Sequence, residues 1–390
     1  MRRTCVIINF FNFINPVNKT PKILHVSTPK SWRGGEQQIA YLYEELAQIG
    51  IEQYILCAKG GELAKRGKAK KWNIIESRKR AAIDPFFSFS IKRISRLKNI
   101  DIIHVHDSHA HTFAMISSSI WRNNIPIVVS RRVDFPISNS SIKKYNHKNI
   151  KRILCVSDAI KAITATKIVD QSILKTIYSG IDLERFHSVN QPMDVLRTEF
   201  NIAANIPLIG NVAAIAPHKD YFTFIDTAEE VIKRGLNAKF IIIGTGPLEL
   251  EIKEYCLMKG LSDHIIFTGF RSDIPTILPE LDLFLITSET EGLGTSVIDA
   301  FACRVPVVAT RAGGIPELVH HEKTGLLADI KDPVGLANQI ELILNSASLQ
   351  AQIIKGQQEI LPLFTKTETA KKTLQEYLAV LEQEQPNHYD

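Results

Sequence analysis

Short apolar β-type runs alternate with segments of helical period from one end of this 390-residue chain to the other. That alternation limits the fold more than any other feature, because strand–helix–strand repeats build a parallel sheet covered by crossover helices. Lys22–Ser27 predicts a first strand. Glu36–Ile49 predicts a helix with Ile39, Leu42, Tyr43 and Leu46 on one face and Gly50 as its stop. Further strands are predicted at Gln53–Cys57, Ile102–His106, Ile125–Ser130 and Arg152–Ser157. A second series follows Phe186, with strands at Pro207–Val212, Lys239–Ile243, Ile265–Phe267, Leu281–Ile286 and Val305–Ala309. Its helices are predicted at Tyr221–Arg234, Leu248–Lys259, Gly294–Cys303 and Pro333–Asn345.

A chain of this length suits two domains. The polar stretch His187–Asn201 suggests the boundary, giving an extension (1–21), a first domain (22–187), a second (188–365) and a charged amphipathic helix from Thr367 to Glu384 within 366–390 that docks back toward the first. The expected fold class is α/β, with two Rossmann-like domains facing a cleft. In open α/β sheets ligands bind at the carboxyl ends of the strands, so residues just after strands are the site candidates.

Charge is divided unevenly. Residues 1–190 carry 31 Lys and Arg against 14 Asp and Glu, while the rest carry 16 against 27. A basic half suits a polyanion or an anionic membrane, and solvated helix faces account for it equally. Cys5, Cys57, Cys155, Cys256 and Cys303 form no CxxC pair, which fits buried thiols in a reducing compartment. Asn9, Asn12 and Asn15 interrupt the apolar N-terminal run, and no small-residue cleavage site follows it, so neither a membrane span nor an export signal is expected.

Several loops carry chemistry. Gly34 and Gly35 lie between the first strand and its helix, where backbone can approach a ligand. No GxGxxG is present there, which excludes the dinucleotide fingerprint. Alternation places His104 and His106 on one side of a strand, with His106 nearest the carboxyl end. A metal site with His109 and His111 lacks supporting carboxylate or cysteine spacing. Lys219 opens a helix, where a cation can hold phosphate oxygens, and Gly244 follows another strand. The densest segment is Ser288–Asp299: Gly292 and Gly294 expose backbone, the helix from Gly294 offers amides to a diphosphate, and Glu291 and Asp299 suit sugar hydroxyls, one a hexose and the other a ribose.

From Lys22 to the C-terminus the chain resembles the retaining GT-B glycosyltransferases of glycosyltransferase family 4, the group 1 type. The resemblance rests on Gly34-Gly35-Glu36, His106, Cys155–Ile160, Tyr178–Phe186, Lys219 and Gly244–Pro247. It rests most of all on Glu291–Asp299 followed by Pro306–Thr310 and Gly313–Glu317. It implies that Gly34 and Gly35 face donor phosphate and acceptor, that His106 contacts the transferred sugar, and that Lys219 neutralises the diphosphate. Glu291 would bind donor-sugar hydroxyls; Gly292, Leu293, Gly294 and Thr295 would supply backbone contacts; Asp299 would hold the ribose. Two departures stand out. The second acidic residue is usually glutamate, and an arginine usual near Ala214 is missing, with Arg271 the candidate replacement. Arg131 and Arg132 either meet an anionic acceptor or form a salt-bridged turn.

The implied reaction is transfer of a hexose-type sugar from a nucleotide diphosphate sugar to a glycan or lipid-linked acceptor with retention, in bacterial cell-surface polysaccharide synthesis. No cofactor, metal or nucleic acid is expected. The expected location is cytoplasmic, with peripheral contact of the basic half to the inner membrane face open. The alternatives are a nucleotide-sugar epimerase, which turns over without acceptor, and a non-catalytic nucleotide-sugar-binding protein.

Overall fold

The computed structural model describes residues 20–187 and 194–384, and the extension expected at 1–21 lies almost wholly outside them. Two compact α/β units result: residues 20–180 with 366–384, and residues 181–365. The chain leaves the first unit just after Gly180, ahead of the polar stretch suggested by sequence. It does so because Ile181 already belongs to the second, its amide donating to the Phe364 carbonyl (2.9 Å) where the chain prepares to return.

The first unit is built on β1 (Lys22–Ser27), β2 (Glu52–Ala58), β3 (Ile74–Ser77), β4 (Ile102–Val105), β5 (Ile127–Arg131), β6 (Ile150–Cys155) and β7 (Leu174–Thr176). They pair in the order β3-β2-β1-β4-β5-β6-β7, every neighbour parallel. The second holds β8 (Leu208–Val212), β9 (Lys239–Ile243), β10 (Ile265–Gly269), β11 (Leu283–Ile286), β12 (Val307–Thr310) and β13 (Leu326–Ala328). Their order is β10-β9-β8-β11-β12-β13, again all parallel. Both are doubly wound sheets whose order reverses beside the first strand, at β1/β4 and at β8/β11.

The strands read as continuous apolar runs because both faces are covered. In the second unit Ile209, Phe240, Ile242, Leu283 and Val308 share one core with Phe224 and Ala228 of the helix Tyr221–Lys233. In the first, the helix Lys366–Glu384 lays Ala370, Leu374, Tyr377 and Val380 against Ile23, Ile102 and Val128 of the sheet and against Leu42 and Leu46. Arg152 anchors that helix through Glu376 (2.7 Å). Cys57, Cys155 and Cys256 are buried free thiols. Among the described residues no helix is long and apolar enough to cross a membrane.

Tyr377 is fully buried and its hydroxyl meets His104 Nδ1. Tyr377→Ala should lower unfolding free energy by about 3–5 kcal/mol through the cavity it leaves. Tyr377→Phe, which only strands the imidazole, should cost about 1–3 kcal/mol. Chemical denaturation of both variants checks the order; equal small losses would show that the helix is dispensable to this core.

Candidate active site

In the second unit the loops after β8 and β11 are laced together by backbone. Pro217–Lys219 form a single 3-10 turn, and Asp220 (φ +45°) caps the helix Tyr221–Lys233 by accepting from Thr223 N (3.2 Å). Thr287 Oγ1 donates to the carbonyls of Lys219 (3.2 Å) and Asp220 (2.9 Å), and Glu289 N donates to His218 O (2.9 Å). Lys219 is therefore held beside the next loop, where its ammonium pairs with the Glu291 carboxylate. Ser288 Oγ donates to the same carboxylate oxygen (3.0 Å), and Glu291 is only 8 % exposed. Behind it, Gly313 (φ +49°) packs so tightly that a Cβ would stand 2.1 Å from Glu291 O. Gly314 N donates to that same carbonyl (3.0 Å).

Gly294 takes φ +90° and precedes the helix Thr295–Ala302, whose first turn no side chain caps. Lysine, carboxylate and a helix start thus converge after adjacent strands. This arrangement can grip an anion and orient hydroxyl groups. Asp299 lies one turn inside that helix and is partly covered; removal from water pushes its carboxyl up to about 7, with Arg185 opposing the shift. Leu293 is buried and Thr295 half-buried. Gly244 has a packing duty of its own, since a Cβ there would lie 2.0 Å from Ala213 O. Arg271 is committed elsewhere, forked onto Asp273 (2.9 and 2.7 Å) and reaching Glu199 (2.7 Å). Any phosphate would have to displace those carboxylates to use it.

In the first unit Gly34 and Gly35 lie inside the first turn of the helix Gly34–Gln48, two residues earlier than the periodicity suggests, and a Cβ on either would meet open space. His106 stands just past β4 and is 8 % exposed. Asp107 follows and caps the helix Ser108–Ser119 through His109 N and Ala110 N (3.0 Å each), while also binding Thr28 after β1. His104 and His106 do share a side of the sheet, with ring centroids 4.0 Å apart. A third histidine joins them, because His25 on β1 is in register with His104. Among the described residues these three form one group whose ligating atoms lie within 4.8 Å of one another. His109 and His111 take no part in it.

The hydrogen bonds fix the state of His106. Gln53 Nε2 must donate to Tyr43 O (3.0 Å), which leaves Gln53 Oε1 accepting from His25 Nε2 (3.0 Å). Burial lowers the His25 pKa to about 4, so at neutral pH its Nδ1 carries no proton and accepts from His106 Nε2 (3.0 Å). His106, also held neutral by burial, therefore turns an acceptor nitrogen, Nδ1, toward Ser130 Oγ and Arg132 Nη2 (3.5 Å each). It can take a hydrogen bond from a hydroxyl and cannot give one there. His25, Gln53 and Tyr377 escaped the sequence reading because strand register and helix docking bring them in.

His106, Gly35, Glu36, Arg131 and Arg132 line one cavity of about 460 Å³ in this unit. Arg131 ends β5 and Arg132 follows it, neither in a salt bridge among the described residues.

Four buried histidines have depressed pKa values: His25, His104, His106 and His111, the last lowered to about 3 by burial and then by Lys144. A base whose folded pKa lies below its unfolded value near 6.5 contributes stability above that value and loses it as pH falls toward the folded pKa. Stability should therefore fall from pH 6.5 to 5, by roughly 2 kcal/mol per such group. His111→Phe should flatten the curve by about that amount, as read from denaturation midpoints at each pH; an unchanged slope would refute the assignment.

Comparison with known proteins identifies the family. The family model described as Glycosyltransferase Family 4 matches residues 32–185, and that described as Glycosyl transferases group 1 matches residues 193–359. The chain is 25% identical over 263 residues to an N-acetyl-alpha-D-glucosaminyl L-malate synthase of Bacillus anthracis, covering 66% of this chain and 68% of that one. It is 23% identical over 368 residues to the UDP-Gal:alpha-D-GlcNAc-diphosphoundecaprenol alpha-1,3-galactosyltransferase of Escherichia coli, covering 86% and 92%. A glycosyltransferase crystal structure from Rickettsia africae superposes with a TM-score of 0.82 at 21% identity, covering 94% of this chain and 100% of that one. HepE of Anabaena, solved with UDP and glucose, gives 0.79 at 21% identity, covering 92% and 100%. The two models together span most of the sequence, and with a GT-B fold of two parallel α/β sheets this chain belongs to the group 1, family 4 glycosyltransferases.

Proposed function

We propose that this enzyme transfers a hexose-type sugar from a nucleotide diphosphate sugar to a glycan or lipid-linked acceptor, with retention, in bacterial cell-surface polysaccharide synthesis. The observation that carries the reading is the Lys219–Glu291 pair beside the uncapped helix start at Gly294. Relatives support the donor class: one is named for UDP-galactose, and others for GDP-mannose. A lipopolysaccharide core glycosyltransferase of Rhizobium meliloti, 24% identical over 332 residues, supports the setting.

In the resting molecule Lys219 and Glu291 neutralise each other. A diphosphate competes for the lysine and releases the carboxylate to accept hydroxyl protons from the sugar. As the bond between anomeric carbon and phosphate oxygen breaks, negative charge grows on the leaving nucleotide diphosphate. Lys219 and the first-turn amides of Thr295–Ala302 stabilise that charge, the part of the barrier that fixed dipoles lower best. The acceptor oxygen bonds the anomeric carbon on the same face, and its proton passes to the departing phosphate. Lysine and helix start supply the positive charge, so this scheme calls for no metal, cofactor or nucleic acid.

Lys219→Ala should lower kcat by about 10²–10³, the scale for losing one oxyanion partner. Glu291→Gln should lower kcat/KM and leave nucleoside diphosphate affinity within a few-fold. Radiolabelled transfer from UDP- and GDP-hexoses, with thermal shift by the free nucleotides, measures both. Turnover of donor without acceptor to an epimeric sugar would favour an epimerase instead, and no turnover with intact nucleotide binding would favour a non-catalytic binding protein.

The same reading places the enzyme in the cytoplasm, touching the inner membrane face through its basic half. The helix Pro85–Lys98 supports it, leaving Phe86, Phe89 and Leu97 exposed among Lys92, Arg93, Arg96 and Lys98. The basic run from Lys65 to Lys71 supports it less, since Lys65, Lys68 and Lys70 are paired with Glu62, Glu76 and Glu44. Sedimentation with vesicles containing phosphatidylglycerol should capture the protein, and Phe86→Ser with Phe89→Ser should abolish capture. Wild-type protein left in the supernatant would exclude the contact.

A further inference from the structure

The cavity of the first unit is lined by four cations, Arg33, Arg131, Arg132 and Lys144, against two carboxylates, Glu36 and Asp107. Among the described residues neither carboxylate forms an ion pair with any of them, although Glu36 and Asp107 both attract Arg132 through space and Asp107 attracts Lys144. Asp107 is spent on Thr28 and on the amides of His109 and Ala110. Glu36 accepts from Arg33 N (3.0 Å), and burial raises its pKa toward the neutral form.

The hydrogen-bond partners of Arg131, Arg132 and Lys144 are all neutral. Arg131 is 4 % exposed; its guanidinium reaches Tyr145 Oη (3.2 Å) and the Phe135 carbonyl, lies over the Phe135 and Tyr145 rings, and leaves Nε without an acceptor. Arg132 Nε is likewise buried without an acceptor. Lys144, 9 % exposed, donates to Ser108 O (3.3 Å), Ser108 Oγ (3.1 Å) and Thr112 Oγ1 (3.4 Å). Four cations against two carboxylates leave positive charge in excess around the cavity, and covered cations in excess of their counter-ions are expensive, so an anion placed there is favoured. The mouth is apolar, with Phe135 60 % exposed beside Val133 and Pro136.

We infer that this cavity holds the acceptor by an acidic group, a phosphate or diphosphate, seated against Arg131, Arg132 and Lys144, with the sugar or lipid portion against Phe135. The inference rests on the glycosyltransferase reading for calling the ligand an acceptor. The anion site itself is independent of that reading and is tested apart from it. Phosphate carried by a lipid and phosphate carried by a soluble sugar present the same chemistry, so the probes separate them.

Calorimetric or thermal-shift titration of the full chain carrying Lys219→Ala removes the other anion site from the measurement. The probes are farnesyl phosphate against farnesol, and N-acetylglucosamine 1-phosphate against its methyl glycoside. At least one phosphorylated probe should bind ten-fold or more tightly than its neutral partner; the lipid pair showing this assigns a lipid carrier, the sugar pair a soluble acceptor. Lys144→Met should erase the preference, and Arg131→Met should do the same if it folds; nucleoside diphosphate binding to the otherwise wild-type variants should persist. Equal binding of charged and neutral probes, or a preference that survives Lys144→Met, would overturn the proposal. Loss of nucleotide binding in wild-type protein would instead strike the donor reading and leave the anion site standing.

Discussion

All thirteen strands run parallel within their sheets, and parallel pairing forces every connection to return by a crossover. The functional arrangement depends on this constraint. Each sheet winds one way, then the other, and the loops leaving the two strands at the reversal diverge to opposite faces and leave a crevice. In the first unit those strands are β1 and β4, which deliver Thr28, His106 and Asp107. In the second they are β8 and β11, which deliver Lys219 and Glu291. Residues 72 positions apart in sequence form an ion pair because topology leaves their loops nowhere else to go.

The central strands were legible because they are unbroken apolar runs. Lys22–Ser27 and Lys239–Ile243 have the predicted ends, and the other predicted strands lie within a few residues of their true limits. The strands that escaped, β3, β7 and β13, lie at the margins of their sheets: β3 is only half-buried along its length, and β7 and β13 have three residues each, too short to show a period. The turn after β11 was legible as well, since Gly292 and Gly294 mark it by composition and Gly294 does take φ +90°, although Gly294 is buried rather than exposed. Pairing between side chains was not. That Glu291 faces Lys219, or that Arg271 is held by Asp273 and Glu199, follows from packing of loops that no local pattern encodes.

Burial decides the chemistry of the loops of each unit in different ways. Around His106 it strips charge from the imidazoles, so that a chain of hydrogen bonds from the Tyr43 carbonyl can dictate which nitrogen bears a proton. At Asp299 it raises a carboxyl toward neutrality, with Arg185 the cation that opposes the shift. Around Arg131 burial leaves a guanidinium among neutral groups, the Tyr145 hydroxyl and the Phe135 carbonyl, with no carboxylate bonded to it.

The helix Lys366–Glu384 supplies Leu374, Tyr377 and Val380 to a core whose other walls are made from residues 23–177. Synthesis on the ribosome runs from the N-terminus, and domains generally fold as units in that order. Here the order is inverted: the unit whose residues are made first cannot close its core until the final helix has been translated, while the unit encoded in the middle has all its residues earlier. The nascent chain therefore spends the translation time of the whole middle unit with the apolar face over Ile23, Leu42 and Ile102 uncovered.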